Sequence, residues 1–199
     1  MTRGKLQCKQ TGWVNGNNGI CLRSRSRGVI SDCDIFGNGW PNVAITSDVN
    51  AEIFRSRIHE GLMEGIKVAE GSRVKVVDST IEQHNDKAVW VGQNCHVSLH
   101  QCRILDNTNA GMWIEPTGHG VLEQSCFEDN GYGGELAAIE IQGKAVIRRC
   151  RIRRNYMGIR SVGSVIVKLL NVSGNANGAF VLVHKGAVGA AERGFGESA

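Results

Sequence analysis

Two tryptophans, Trp90 and Trp113, stand 23 residues apart, each at the centre of an alternating apolar triplet, Val89-Trp90-Val91 and Met112-Trp113-Ile114. Indoles held on one solvent face at successive repeats suit either the apolar face of a sugar or a protein partner. The same place in neighbouring repeats is taken by Ala44, Lys67, Glu140 and Arg160. Lys67, Trp90, Trp113, Glu140 and Arg160 therefore form a candidate binding surface. Arg151 and Arg153 join it from a run that also holds Arg148, Arg149 and Arg154, because gathered guanidiniums suit an acidic partner surface.

Acid–base or calcium chemistry on a sugar needs clustered carboxylates. Glu128 and Asp129 are adjacent, with Glu123 and Glu135 nearby, but no Asp pair recurs on consecutive repeats. His96 and His100 are four residues apart in one strand, about 13 Å, too far for one metal ion. All six histidines are expected at solvated or turn-capping positions. No catalytic residue, metal ligand set or cofactor is assigned.

These side chains need elements that repeat every 23 residues. The anchors Ile35, Ile58, Ile81, Ile104, Phe127, Ile152 and Val172 are spaced 23, 23, 23, 23, 25 and 20 residues apart. Each period holds three short alternating apolar runs, which leaves no room for a helix. The fold class is therefore all-β: a single-stranded right-handed parallel β-helix of about eight coils, each strand pairing with its equivalents above and below at roughly 4.8 Å. Cys33, Ser56, Ser79, Cys102, Ser125 and Cys150 share a small inward position, where the thiols are expected to be inert packing groups. Asn17, Asn38, Asn107, Asn130, Asn155 and Asn175 recur at a bend as an asparagine ladder, with Gly61 and His84 replacing Asn in two coils.

The coils ISDCDIFGNG, VSLHQCRILDN and AVIRRCRIRRNYMGI resemble the right-handed, pectin-lyase-like β-helix repeats of carbohydrate-binding proteins and sugar hydrolases, and most of all the β-helical domains of F-box proteins. The resemblance spans Val14 to about Val183. In the F-box relatives it implies the substrate-recognition part of a ubiquitin ligase.

Composition agrees with the repeat. Val and Ile far outnumber Leu, and 26 Gly with abundant Asn supply turns. A net charge of +4 gives little support to nucleic-acid binding, and no apolar run is long enough to span a membrane. Seven cysteines, an odd number without a Cys-x-x-Cys pair, point to a reducing, intracellular setting, an organelle included. Residues 1–13 are expected to be a lead-in or incomplete coil, 14–183 the β-helix, and 184–199 a tail with a short cap. The sequence reads best as a non-enzymatic scaffold or protein-recognition domain, a subunit of a larger assembly. The second reading is a carbohydrate-binding or carbohydrate-active β-helix that takes a polysaccharide.

Overall fold

Alternation with period two makes each short run amphipathic, and three such runs per repeat can close around a core only if the chain winds. In the computed structural model, which describes residues 3–7, 11–12 and 17–182, it does so. The first coil is β1 (Arg3–Gln7), β2 (Thr11–Gly12) and β3 (Ile20–Leu22), followed by β4 (Arg27–Ser31), β5 (Asp34–Phe36) and β6 (Val43–Ile45). The pattern continues to β22 (Ser164–Lys168), β23 (Asn171–Ser173) and β24 (Phe180–Leu182). Every third strand joins the same wall, giving three eight-stranded parallel sheets: wall A from β1 to β22, wall B from β2 to β23 and wall C from β3 to β24. The result is a right-handed solenoid of about seven turns of about 23 residues, without helix among the described residues.

Register follows the repeat. Ile58, Ile81 and Ile104 are direct partners in wall B, and Phe127 and Ile152 continue the column. All five are fully buried. Burying each of these side chains is worth on the order of 1.5–3 kcal/mol, so the core is a set of stacked columns. Burial weakens at the C-terminal end, where Val172 and Phe180 are only partly covered and Leu182 is 49% exposed.

Two of the three corners in each coil repeat their side-chain arrangement. Between walls A and B one residue per coil has left-handed backbone: Asp32, Arg55, Asp78, Gln101, Gln124, Arg149 and Leu169. The small residue that follows supports the corner. The Ser56 hydroxyl accepts from the Cys33 N–H at 3.2 Å and donates to the Phe54 carbonyl at 2.8 Å, and Ser79 and Ser125 repeat the arrangement. Cys33 does not match the expectation of a free thiol, because it is disulfide-bonded. Cys95, Cys102, Cys126 and Cys150 are buried free thiols, and burial, the largest cause in each, raises their pKa.

Between walls B and C runs the asparagine ladder. Asn107 Nδ2 donates to Asn130 Oδ1 at 2.8 Å, Asn130 Nδ2 to Asn155 at 3.0 Å, and Asn155 Nδ2 to Asn175 at 3.0 Å. Where Gly61 interrupts it, Asn42 reaches across from the preceding coil. Its Oδ1 accepts from Asn38 Nδ2 at 2.7 Å and its Nδ2 meets His84 Nε2 at 3.0 Å. His84 is therefore a buried rung rather than a solvated residue. His59 is also buried, stacked on Phe36 at 4.9 Å and 2.9 Å from Asp34. His84 thus takes the ladder place expected for it, but both rings are buried rather than solvated. The short cap expected in residues 184–199, and the limits expected for the β-helix at Val14 and Val183, lie outside the described residues.

Candidate functional site

Wall C strands are three residues long over much of their run, so each offers one outward side chain. In register these are Ala44, Lys67, Trp90, Trp113, Glu140 and Arg160. The alternation read from sequence thus places five of the seven candidate residues on one face. Trp90 and Trp113 are half-buried, and both indole N–H groups donate to the same carboxylate oxygen, Glu115 Oε1, at 3.3 and 3.2 Å. Lys67 Nζ lies over the Trp90 ring, 5.0 Å from its centroid, and Lys87 Nζ lies 5.5 Å from that of Trp113. Lys67 is held by Glu64 at 3.3 Å and Lys87 by Asp86 at 2.8 Å. Higher on the wall, Glu140 accepts from the Ala137 N–H at 2.7 Å and pairs with Arg160 at 2.8 Å.

Chemically this is a rigid patch of two rings whose polar edges are already satisfied and whose faces carry ammonium groups. Each cation–π contact is worth about 0.5–1 kcal/mol at a partly exposed site, enough to order the lysines without burying them. Sequence reasoning missed Glu115 and Lys87. Glu115 lies two residues after Trp113, so the period of a strand signals that the two side chains share a side. Lys87 lies in the turn before the strand, which no strand period reaches. Trp40 and Leu62, 57% and 61% exposed, lie in the turns between walls B and C of two earlier coils.

Arg151 and Arg153 are not on this face. They project from wall B and, with Arg154, surround one carboxylate, Glu128, at 3.5, 2.9 and 2.8 Å. Arg154 also pairs with Asp129 at 2.9 Å. Burial pushes the Glu128 carboxyl up. Hydrogen bonds from Cys126, Arg153 and Arg154 outweigh it and hold the group at about 2. A carboxylate so held has no proton to give at neutral pH, which removes it as a general acid. Among the described residues no group of three His, Cys, Asp or Glu side chains is placed to hold a metal ion, and no helix is long and apolar enough to cross a membrane.

The chain matches the family described as a right handed beta helix region over residues 8–138. No curated protein matches it.

Proposed function

From the premise that the chain belongs to the right handed beta helix family, we propose that it is a non-enzymatic recognition domain that presents wall C to a protein partner, as a subunit of a larger assembly. The observation that carries this reading is the shared Glu115 Oε1 acceptor, which fixes two half-buried tryptophans one strand apart before anything binds. Ordered aromatic anchors ringed by charged side chains are what concentrate binding energy in protein interfaces. Lys67 extends the anchor along the wall on one side, and on the other the buried Glu140 holds Arg160 in place. In this reading Arg151 and Arg153 form a separate contact on wall B. The intracellular, reducing location belongs to the proposal as well, with the disulfide at Cys33 weighing against it.

The second reading, binding of a polysaccharide, is favoured by one observation: a carboxylate in hydrogen-bonding contact with both indoles, an arrangement that also suits sugar hydroxyls. Against it, an ammonium group lies over each ring where a pyranose would stack. The test isolates the native protein with whatever it carries, cross-links it and repeats the isolation with Trp90→Ala/Trp113→Ala. The recognition reading expects a protein cross-linked through wall C and lost from the double variant. Retention of the partner by the double variant, or indole fluorescence that responds to an oligosaccharide, overturns it.

A further inference from the structure

Wall A strands are five residues long and present broad outward columns rather than one. In register, the first column is Arg27, Asn50, Arg73, His96, His119 and Lys144. The next runs through Glu52, Lys75 and Ser98 and then turns aliphatic at Val121, Val146 and Ile166. Counting the third column, the wall carries Arg27, Arg73, Lys75, Lys144, Arg148 and Lys168 against two carboxylates, Glu52 and Glu123.

The cations are also unspent. Among the described residues Arg27, Arg73, Lys75 and Lys144 make no ion pair, whereas Arg55, Arg57, Arg153, Arg154 and Arg160 each hold a carboxylate. Between the cations, His96 and His119 stack in parallel, 4.5 Å between centroids and 5° between planes. A shallow depression follows this file over Arg73, Lys75, His96, His119 and Val121. Val121 and Ile166 are 43% and 54% exposed, unusual for aliphatic side chains beside a charged column.

We infer that wall A docks an extended, carboxylate-rich peptide segment of a partner protein, with aliphatic side chains of that segment covering Val121, Val146 and Ile166. Unpaired cations in file along a depression call for a linear polyanion. The aliphatic column selects its class. A nucleic-acid strand or an anionic polysaccharide would satisfy Arg73 and Lys144 but leave Val121 and Ile166 against polar groups, whereas a polypeptide carries acidic and aliphatic side chains on one chain. No residue of this surface belongs to the tryptophan patch, so the inference stands or falls independently of the wall C reading.

The probe is a fluorescein-labelled synthetic peptide of Glu pairs alternating with single Leu residues, measured by fluorescence anisotropy on the full chain at low and at physiological salt. Binding is expected to weaken with salt and to fall at least about tenfold in Arg73→Glu/Lys144→Glu. It should fall several-fold in Val121→Thr/Ile166→Thr and stay unchanged in Trp90→Ala/Trp113→Ala. All four wall A residues are exposed, so circular dichroism should show folded variants. If the charge reversals unfold the chain, Arg73→Gln/Lys144→Gln replaces them, with the same loss expected. The inference is overturned if the peptide does not bind, or if Val121→Thr/Ile166→Thr binds like the wild type. It is equally overturned if oligoglutamate, single-stranded DNA or a sulfated oligosaccharide binds as tightly as the peptide.

Discussion

Asn42 Nδ2 points at His84 Nε2 across 3.0 Å, and this contact fixes the state of the histidine. On the far side of the ring, His84 Nδ1 lies 3.0 Å from Asn107 Oδ1, which can only accept. Nδ1 therefore carries the proton and Nε2 is the acceptor. Asn42 cannot turn its amide over without setting its Nδ2 against the amide nitrogen of Asn38, 2.7 Å from its Oδ1. From Asn38 to Asn175 the side-chain bonds all run in one direction, so each polarises the next.

A proton added to His84 would place two donors face to face in a dry corner. Burial lowers its pKa from 6.5 to about 4. The unfolded chain then takes up the proton more readily, so the stability contributed by neutral His84 is complete above about pH 6.5. It declines as pH falls and is lost once pH is below about 4. At about 1.4 kcal/mol per unit the whole loss is on the order of 3 kcal/mol. Urea midpoints across this window should fall more steeply for the wild type than for His84→Asn, and the His84 ring should titrate near 4 by NMR. A ring that titrates near 6.5 in the folded protein contradicts the assignment.

Gly61 is where the ladder is spliced. A Cβ there would lie 2.8 Å from His84 Cδ2 and 3.2 Å from Asn42 Cγ. Gly61→Asn should destabilise by about 1–3 kcal/mol, as overpacking does, although it supplies the ladder residue found in other coils. Combined with Asn42→Ala and His84→Asn it should recover most of that loss, because the straight ladder can then form. Chemical denaturation of the single and triple variants measures the coupling, and additive losses would show that the three residues do not act as one splice.

The splice shows where sequence stops being informative. The 23-residue spacing of Ile35, Ile58, Ile81 and Ile104 exposes the columns, because each inward position stacks on its equivalent one coil away. The same logic places Lys67, Trp90, Trp113, Glu140 and Arg160 on one face. It fails where a side chain leaves its own rung: Asn42 crosses to fill the place of Gly61, and Lys87 reaches wall C from a turn. It also fails at His59 and His84, whose burial depends on how tightly the corner closes rather than on alternation. Arg151 and Arg153 look continuous with Arg160 in sequence, but a corner separates them: Arg151 and Arg153 meet Glu128, whereas Arg160 meets Glu140.

The thiols give a third prediction. Cys102, its pKa pushed up to about 11 by burial, and Cys95 and Cys150, raised for the same reason, should resist alkylation in the folded protein, whereas Cys21 is exposed and should react first. Peptide mass mapping after timed labelling, with and without denaturant, reads this directly. Labelling of Cys102 at the rate of Cys21 in the native state would show that the small column is open to solvent.

The corner between walls A and B predicts a stabilising change. Leu169 holds left-handed backbone (φ 52°) at a place where the equivalent residues of earlier coils are Asp, Arg or Gln, and it is 76% exposed. A leucine tolerates this conformation poorly, whereas asparagine is enriched in it. Leu169→Asn should therefore stabilise by about 0.4–1 kcal/mol, the scale of matching a residue to its backbone, which raises Tm by a few degrees in a chain of this length. Leu62→Asn controls for replacing an exposed leucine, because Leu62 is 61% exposed but is not among the residues with positive φ. Calorimetry should show the gain at 169 and not at 62. Equal shifts at the two sites would mean that surface polarity, not backbone conformation, sets the effect.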